Sequence, residues 1–553
     1  MASLNPLQGT LGHRRAALLL RRTSFRYTKA KVDEMAGQTA AQALTSLLQI
    51  MPFKLPQPIY SPYDPQNPNV VNIKTWCLPV GTALPAEDFV LRRWVMTWWL
   101  HEAMNDPGIG HKMSFFWHQY MITTIQTAGN THFFDYLSLL RWGTLGNFKK
   151  LAQKISLDNV MLRYLNNDQN TKTKPNENFA REFFELFTIG KGPQVGPGDY
   201  TNYTEDDIVQ AAKVLTGMRA NLGRNISDPQ TAIPRGVFNY NQHTPGDKQF
   251  STRFQGKNKV IGAANVAGME NELTEFVDMI FAQPETAKNL CRRFYRYFVN
   301  QSITPEIETD IIAPLTNLLI FSNYEIKPVL EKLFQSQHFF DADDSDATDE
   351  VFGGMIKSPL ELAFQTISFF NIPIPDPMTK PQQWFNFYNR GILQRFLGGA
   401  NLPLFFANDV AGYPAYHQEP DYSHQWFSSS TIIARYKLGE MLLTGKLSFG
   451  ENPDTNLGIK LDIVNWVKTS GSISDPKDSY GLVKTLTDYF MPETVDSDRF
   501  DYFHVNVFLD NLPANDWTYE WQNYLSTGNA TEVRIPLERL VKAILYSQEY
   551  QTF

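Results

Sequence analysis

Residues 175–190 read PNENFAREFFELFTIG (Pro175 to Gly190), and their spacing predicts a helix. Pro175 suits a first-turn position, where its missing N–H has no partner to lose, and Gly190 suits the residue that closes a helix. At 100° per residue, Glu177, Asn178, Arg181, Glu182 and Glu185 fall in one arc of roughly 140°. Phe179, Ala180, Phe183, Phe184, Leu186 and Phe187 fill the opposite side. Two readings fit the polar arc. One is a solvated face with a Glu177–Arg181–Glu185 ladder, worth about 0.2–0.5 kcal/mol per pair. The other is a carboxylate-rich cleft wall that holds a metal, orients a histidine or tunes a general acid.

Helical periodicity continues on both sides. Thr204-Glu205-Asp206-Asp207 forms a capping-box pattern before an apolar run that Gly217 closes. Phe89 to Ala103 is apolar around much of its circumference and is expected to be buried on more than one side. Ala16 to Leu20, between arginine pairs, reads as an amphipathic helix, and residues 139–165 as helices interrupted near Gly143 and Gly146. Further helices are expected at 113–125, 271–282, 284–299, 325–335, 358–370, 430–444, 457–468, 480–489 and 536–548, the last with Pro536 in its first turn. β character is confined to Gly236–Gly262, read as one or two hairpins. Irregular Pro/Gly-rich stretches fall at 52–68, 190–203, 371–383 and 407–427. The fold class is therefore mainly α: one large multi-helix unit over 1–553 with a small β-hairpin insertion near 236–262. A subdivision into 1–220, 221–265 and 266–553 is conceivable. No repeat of 20–50 residues occurs.

Composition removes several classes. Of 553 residues, 42% are hydrophobic, enough for a core. Two cysteines, Cys77 and Cys291, make neither a disulfide framework nor a cysteine-based zinc site. A formal charge of −7 leaves no electrostatic footprint for nucleic acid. No apolar run reaches the roughly 18 residues of a membrane span, and no signal peptide is recognisable, so the chain taken literally is cytoplasmic. The aromatic share, 13%, is the odd feature.

Familiar catalytic signatures are missing: there is no HExxH, GxSxG or GxGxxG. Gly439 to Lys446 has one residue too many for a phosphate loop, and Leu447 stands where Ser or Thr belongs. Asp341 to Glu350 lacks the mid-loop glycine and final glutamate of a calcium loop. His111 and His118 lie two turns, about 10.5 Å, apart on one helix and cannot share one metal. The remaining candidates are Phe115-Phe116-Trp117-His118, the loop holding His243, Asp247 and Lys248, and the polar-aromatic loop from Asn408 through Tyr413 to Trp426. The rings left for recognition are Tyr413, Tyr416, Tyr422, Trp426 and Phe427.

Several segments match, in order, a pattern already known. They are Leu19-Leu20-Arg21-Arg22-Thr23-Ser24-Phe25, Phe116-Trp117-His118, Gly146-Asn147-Phe148, Pro175 to Gly190 and Tyr203 to Gly217. His243 with Gly246 and Lys248, Lys357-Ser358-Pro359, Val410-Ala411-Gly412 to Trp426, and Ser547-Gln548-Glu549-Tyr550 complete the series. Together they resemble the large bacterial proteins grouped as domain of unknown function 1800, over nearly the whole chain. The resemblance implies one large helical unit and little about activity. It also implies an envelope or extracellular setting, since members often occur beside exported phosphatase/sulfatase-like proteins and many carry export signals. Two positions depart from the pattern. The usual His-x-His is His118-Gln119-Tyr120 here, which removes one histidine from any metal site. The usual His-Asp is His243-Thr244, leaving Asp247 as a substitute only if the turn folds back.

Two functions emerge as expectations. The first is a binding or assembly protein, with a protein partner or a glycan on its aromatic loops and Asn176, Glu177, Asn178, Asp206, Lys248, Tyr413 and Trp426 as binding residues. The alternative is a hydrolytic enzyme. There Glu182 or Glu185 is general base, Arg181 holds an anion, His243 carries protons, and a divalent metal sits on His118, Glu182 and His243.

Overall fold

A computed structural model describes residues 2–49, 55–62, 71–77, 89–127, 129–197, 199–343, 351–407, 409–446, 457 and 459–553. Helix accounts for 57% of the chain, and the sheets among the described residues are four two-stranded antiparallel pairs. The fold is mainly α. Most of 344–350 in the acidic stretch, together with Asn408 and Leu447, lie outside the described residues.

Most helices stand where the periodicity puts them, and their caps explain why. Thr204 accepts the Asp207 N–H at 3.3 Å while Asp207 accepts the Thr204 N–H at 2.8 Å, starting the Glu205–Val214 helix. Ser358 and Glu361 form the same reciprocal pair at the head of Pro359–Phe369, which gives Lys357-Ser358-Pro359 a structural meaning. Gly445, at φ +70°, closes the Thr431–Thr444 helix, so the segment resembling a phosphate loop is mostly a helix end.

Four expectations change. The first helix, Gly12–Thr23, is buried on every side from Ala16 onward, arginines included. Arg21 donates to the Met491 carbonyl at 3.1 Å and Arg22 to that of Val299 at 3.0 Å, and both carbonyls end other helices. A cation at a helix C-terminus satisfies orphan carbonyls and opposes the dipole. The last helix is Thr531–Tyr546, with Pro536 inside it. Asn529 Oδ1 accepts the Thr531 N–H at 3.1 Å and starts the helix a turn early. The β island is one hairpin, Lys248–Gln249 with Lys259–Val260, plus a strand, Val237–Phe238, that pairs backwards with Met218–Arg219. Helices at Lys29–Ala36, Ala40–Leu47, Ala313–Phe321 and Ala514–Thr527 add to those the pattern predicts.

The aromatic excess is mostly core. Trp94, Trp98, Trp99, Phe115, Phe116 and Trp117 are each at most 3% exposed, in a hydrophobic cluster running from Leu4 to Tyr550. The helices Gly110–Tyr120 and Pro284–Phe298 meet through Phe116 and Phe294, ring centroids 5.1 Å apart. That contact brings the end of the first helix beside the arginines of the second.

Candidate functional site

The segment 175–190 is a short α-helix, Asn178–Glu182, that continues as a π turn, Phe183–Phe187. Thr188 Oγ1 donates to the Phe183 carbonyl at 2.5 Å, and Gly190, at φ +76°, donates to that of Phe184 at 2.9 Å. A π turn takes one extra residue and rotates the residues beyond it by roughly 100°. The polar arc therefore breaks after Glu182. Arg181 forms a fork to Glu205 at 2.6 and 2.8 Å and lies 3.6 Å from Glu177. Glu185 turns away to Lys191 at 3.1 Å and accepts the Tyr203 hydroxyl at 3.3 Å. Leu186 leaves the apolar side and lines a cavity. Glu182 makes no hydrogen bond or ion pair with a described residue. Burial, and then neighbouring Glu185, push its carboxyl up to about 7. Asn176 and Asn178 donate to the carbonyls of Asn166 and Leu165, tying this helix to the preceding turn, while Asp206 is exposed.

The two histidines have separate surroundings. His118 is fully buried and meets Tyr136 Oη at 2.9 Å. Tyr136 donates its own proton to the Met121 carbonyl at 2.8 Å, so His118 Nδ1 carries the hydrogen and Nε2 is left without a partner. Burial pushes this imidazole down to about 3. His243 faces the Thr216 carbonyl and the Glu272 carboxylate, both at 2.8 Å. Lys248 Nζ lies 2.5 Å from the other Glu272 oxygen. Asp247, the expected substitute, instead pairs with Lys259 across the hairpin at 2.6 Å. The turn does not fold back, and a different helix, Val266–Phe281, supplies the carboxylate. His118, Glu182 and His243 share no partner. Among the described residues no three His, Cys, Asp or Glu side chains are grouped to hold a metal ion.

The segments singled out in the sequence converge elsewhere, on a cavity of about 340 Å³. That lies within the roughly 300–1,000 Å³ of small-molecule clefts. One part of its wall is a run of touching rings. Phe116 meets Tyr297 at 5.2 Å, Tyr297 meets Tyr416 at 5.8 Å, and Tyr416 meets Trp426 at 5.2 Å between centroids. Trp426 and Tyr413 are each 3% exposed, so they form no open surface patch. Tyr413 stays out of the cavity wall and accepts the Phe405 N–H at 2.7 Å. The other part of the wall is polar: Gln119, Asn289, Arg293, Arg296 and Gln301.

Arg293 is the anomaly in this wall. Its guanidinium sits 3.8 Å above the Tyr120 ring, and it has neither a carboxylate nor a hydrogen-bond acceptor among the described residues. Burial lowers its pKa. Its neighbours are matched: Arg292 pairs with Glu308 at 2.7 Å and Arg296 with Glu419 at 3.3 Å. Tyr120, which stands where the resemblance places a second histidine, has a buried hydroxyl without a partner, and both amide atoms of Gln119 are equally unmatched. Glu361, also in the wall, pairs with buried Lys112. The cations Arg22, Lys357 and Arg435 act on that same carboxylate, so positive charge is in excess around the cavity.

Of the residues picked from sequence, only Trp426, with the neighbouring rings Tyr416 and Tyr422, lines this cavity. The arginines were missed, although Cys291-Arg292-Arg293-Phe294-Tyr295-Arg296-Tyr297-Phe298 interleaves cations with rings in a way that marks the helix as unusual. No helix among the described residues is long and apolar enough to cross a membrane. No curated protein and no solved structure matches the chain. The family model described as "Protein of unknown function (DUF1800)" matches residues 18–552, and with that match over nearly its whole length the chain belongs to the DUF1800 family.

Proposed function

We propose that the protein is a binding protein and that the cavity beneath Trp426 takes an anionic small molecule or an acidic group on a larger partner. The single observation that carries this reading is Arg293, a half-buried guanidinium in a cavity wall with no acceptor of its own. A desolvated cation without a counter-charge is unfavourable in the free protein. A carboxylate, sulfate or phosphate entering the cavity supplies that charge, and the planar fork suits all three. The protein-partner expectation survives in this form, with the partner presenting its acid to Arg293. The test is calorimetric titration of wild-type protein and Arg293→Met with a panel of small organic acids. At least one acid is expected to bind the wild type, with at least tenfold loss in the variant. Affinity independent of Arg293 would refute the reading.

The hydrolytic reading stands second, on one observation. Glu182 carries a carboxyl pushed up to about 7 by burial, the range a general acid needs at neutral pH. It ranks second because Glu182 is not among the residues lining the cavity.

A further inference from the structure

We infer that the ligand of this cavity is an acidic sugar: a pyranose ring bearing one anionic substituent, carboxylate or sulfate. The inference rests on the anion-binding reading above and narrows it to a class. Three features of the wall converge on it.

The first is the mixture of surfaces. A pyranose has apolar C–H faces and a polar hydroxyl edge. The cavity offers a run of rings from Phe116 to Trp426 for the former and side-chain amides for the latter. Flat rings give large contact area with little loss of rotamer freedom.

The second is the unmatched polar set. Gln119 Oε1 and Nε2 and Tyr120 Oη are buried without partners, and both residues line the cavity. A sugar hydroxyl donates and accepts at one atom, so it can serve an amide oxygen, an amide nitrogen or a phenol. A fatty acid or a simple aromatic acid has nothing for them and leaves them unpaired, which a site built to hydrogen-bond its ligand penalises.

The third is the charge count. Arg293 lacks an acceptor, which calls for one anionic group. Two carboxylates, Glu361 and Glu419, share the wall and repel a ligand carrying several charges. A nucleotide, which would also stack on rings and meet an arginine, is disfavoured on that ground.

The test uses the full chain and three proteins: wild type, Arg293→Met and Gln119→Leu. Trp426 in the wall supplies a fluorescence signal, and calorimetry supplies affinities. The probes are glucuronate- and galacturonate-containing disaccharides, a sulfated N-acetylglucosamine, their neutral counterparts, octanoate, phenylacetate and adenosine monophosphate. Gln119→Leu removes an unpartnered buried amide, so its fold is expected to hold, and circular dichroism checks this. At least one acidic sugar is expected to bind at least tenfold more tightly than its neutral counterpart. Arg293→Met is expected to erase that margin. Gln119→Leu is expected to weaken the acidic sugar several-fold and leave octanoate unchanged. Tighter, Arg293-dependent binding of octanoate, phenylacetate or the nucleotide would overturn the sugar assignment and leave the anion-binding reading standing. Binding of no acid, or affinities that Arg293→Met leaves unchanged, would sink both.

Discussion

Arg293→Met is expected to make the free protein slightly more stable, and this expectation separates a binding residue from a structural one. The methionine keeps the packing of the side-chain stem and removes the charge. The cation–π contact with Tyr120, 3.8 Å from the ring centroid, is lost, at about 1 kcal/mol for a partly desolvated pair. Against this, the variant escapes the desolvation of a charge with no counter-ion. That penalty is several kcal/mol for a fully buried ion and about 1–2 kcal/mol for a half-buried one. Repulsion from Arg296, one turn along the helix, also disappears and adds a few tenths of a kcal/mol, about the size of an exposed pair. The balance is a gain of about 0.5–1 kcal/mol. In a chain of 553 residues that moves the melting temperature by only about 1 °C, so urea unfolding is the better assay. The expected result is a higher midpoint at an unchanged slope. Arg296→Met, whose Glu419 partner is exposed, serves as control and is expected near zero. A loss of more than about 1 kcal/mol in Arg293→Met would show that the arginine is a strut of the fold rather than a waiting site.

Three further outcomes are expected. Glu182 has its carboxyl raised to about 7, so between the unfolded value of about 4.5 and 7 the folded chain holds a proton that the unfolded chain has released. Stability therefore falls as pH rises through that window. Glu182→Gln should remove the slope, matching wild type at pH 4 and gaining about 1–2 kcal/mol at pH 8 after allowance for solvent screening; parallel urea titrations check it, and equal slopes would count against the assigned environment. Glu272→Ala strands His243 and Lys248, each at most 2% exposed, and is expected to lose about 3–5 kcal/mol by denaturant unfolding. Gly217 sits at φ +78°, where an added Cβ would meet the Asn239 carbonyl oxygen at 2.5 Å. Gly217→Ala is expected to cost at least about 2 kcal/mol and to disturb the adjoining His243 loop.

Legibility in the sequence divides along a physical line. Local signals were legible: the Thr204 capping box, the closing Gly190, the breaks at Gly143 and Gly146, and the burial of Trp94 to Trp99 all depend on neighbours within a turn or two. The polar arc of 175–190 was legible only to Glu182, because the wheel assumes 3.6 residues per turn and the π turn after it obeys another count. Burial of Arg21 and Arg22 was not legible, since the carbonyls they meet belong to helices about 280 and 470 residues away in sequence. The choice of Glu272 as partner of His243 is of the same kind. Arg292, Arg293 and Arg296 look alike in the chain. Only tertiary packing gives the first a Glu308 and the last a Glu419, and leaves the middle one facing a ring.

The fold treats its other buried cations differently from Arg293. Arg21 donates to the Met491 carbonyl, Arg22 to Val351, Lys357 to Tyr550 and Arg435 to Lys357. Arg141 and Arg224 have Asp106 and Asp135. Each is an enclosed charge with a fixed acceptor, as burial demands. Arg293 lines a cavity instead of being enclosed, and its acceptor is missing. Its neighbour Arg296 is answered by Glu419, whose side chain is 67% exposed, so solvent screens that pair and little is gained by replacing it. An incoming acid therefore gains most at Arg293, where screening is weaker and no resident carboxylate must first be displaced. The same geometry places that acid beside Gln119 and Tyr120, the other unmatched groups. The unsatisfied atoms of this wall thus sit together around one space rather than scattered through the core, the distribution expected of a site that a ligand completes.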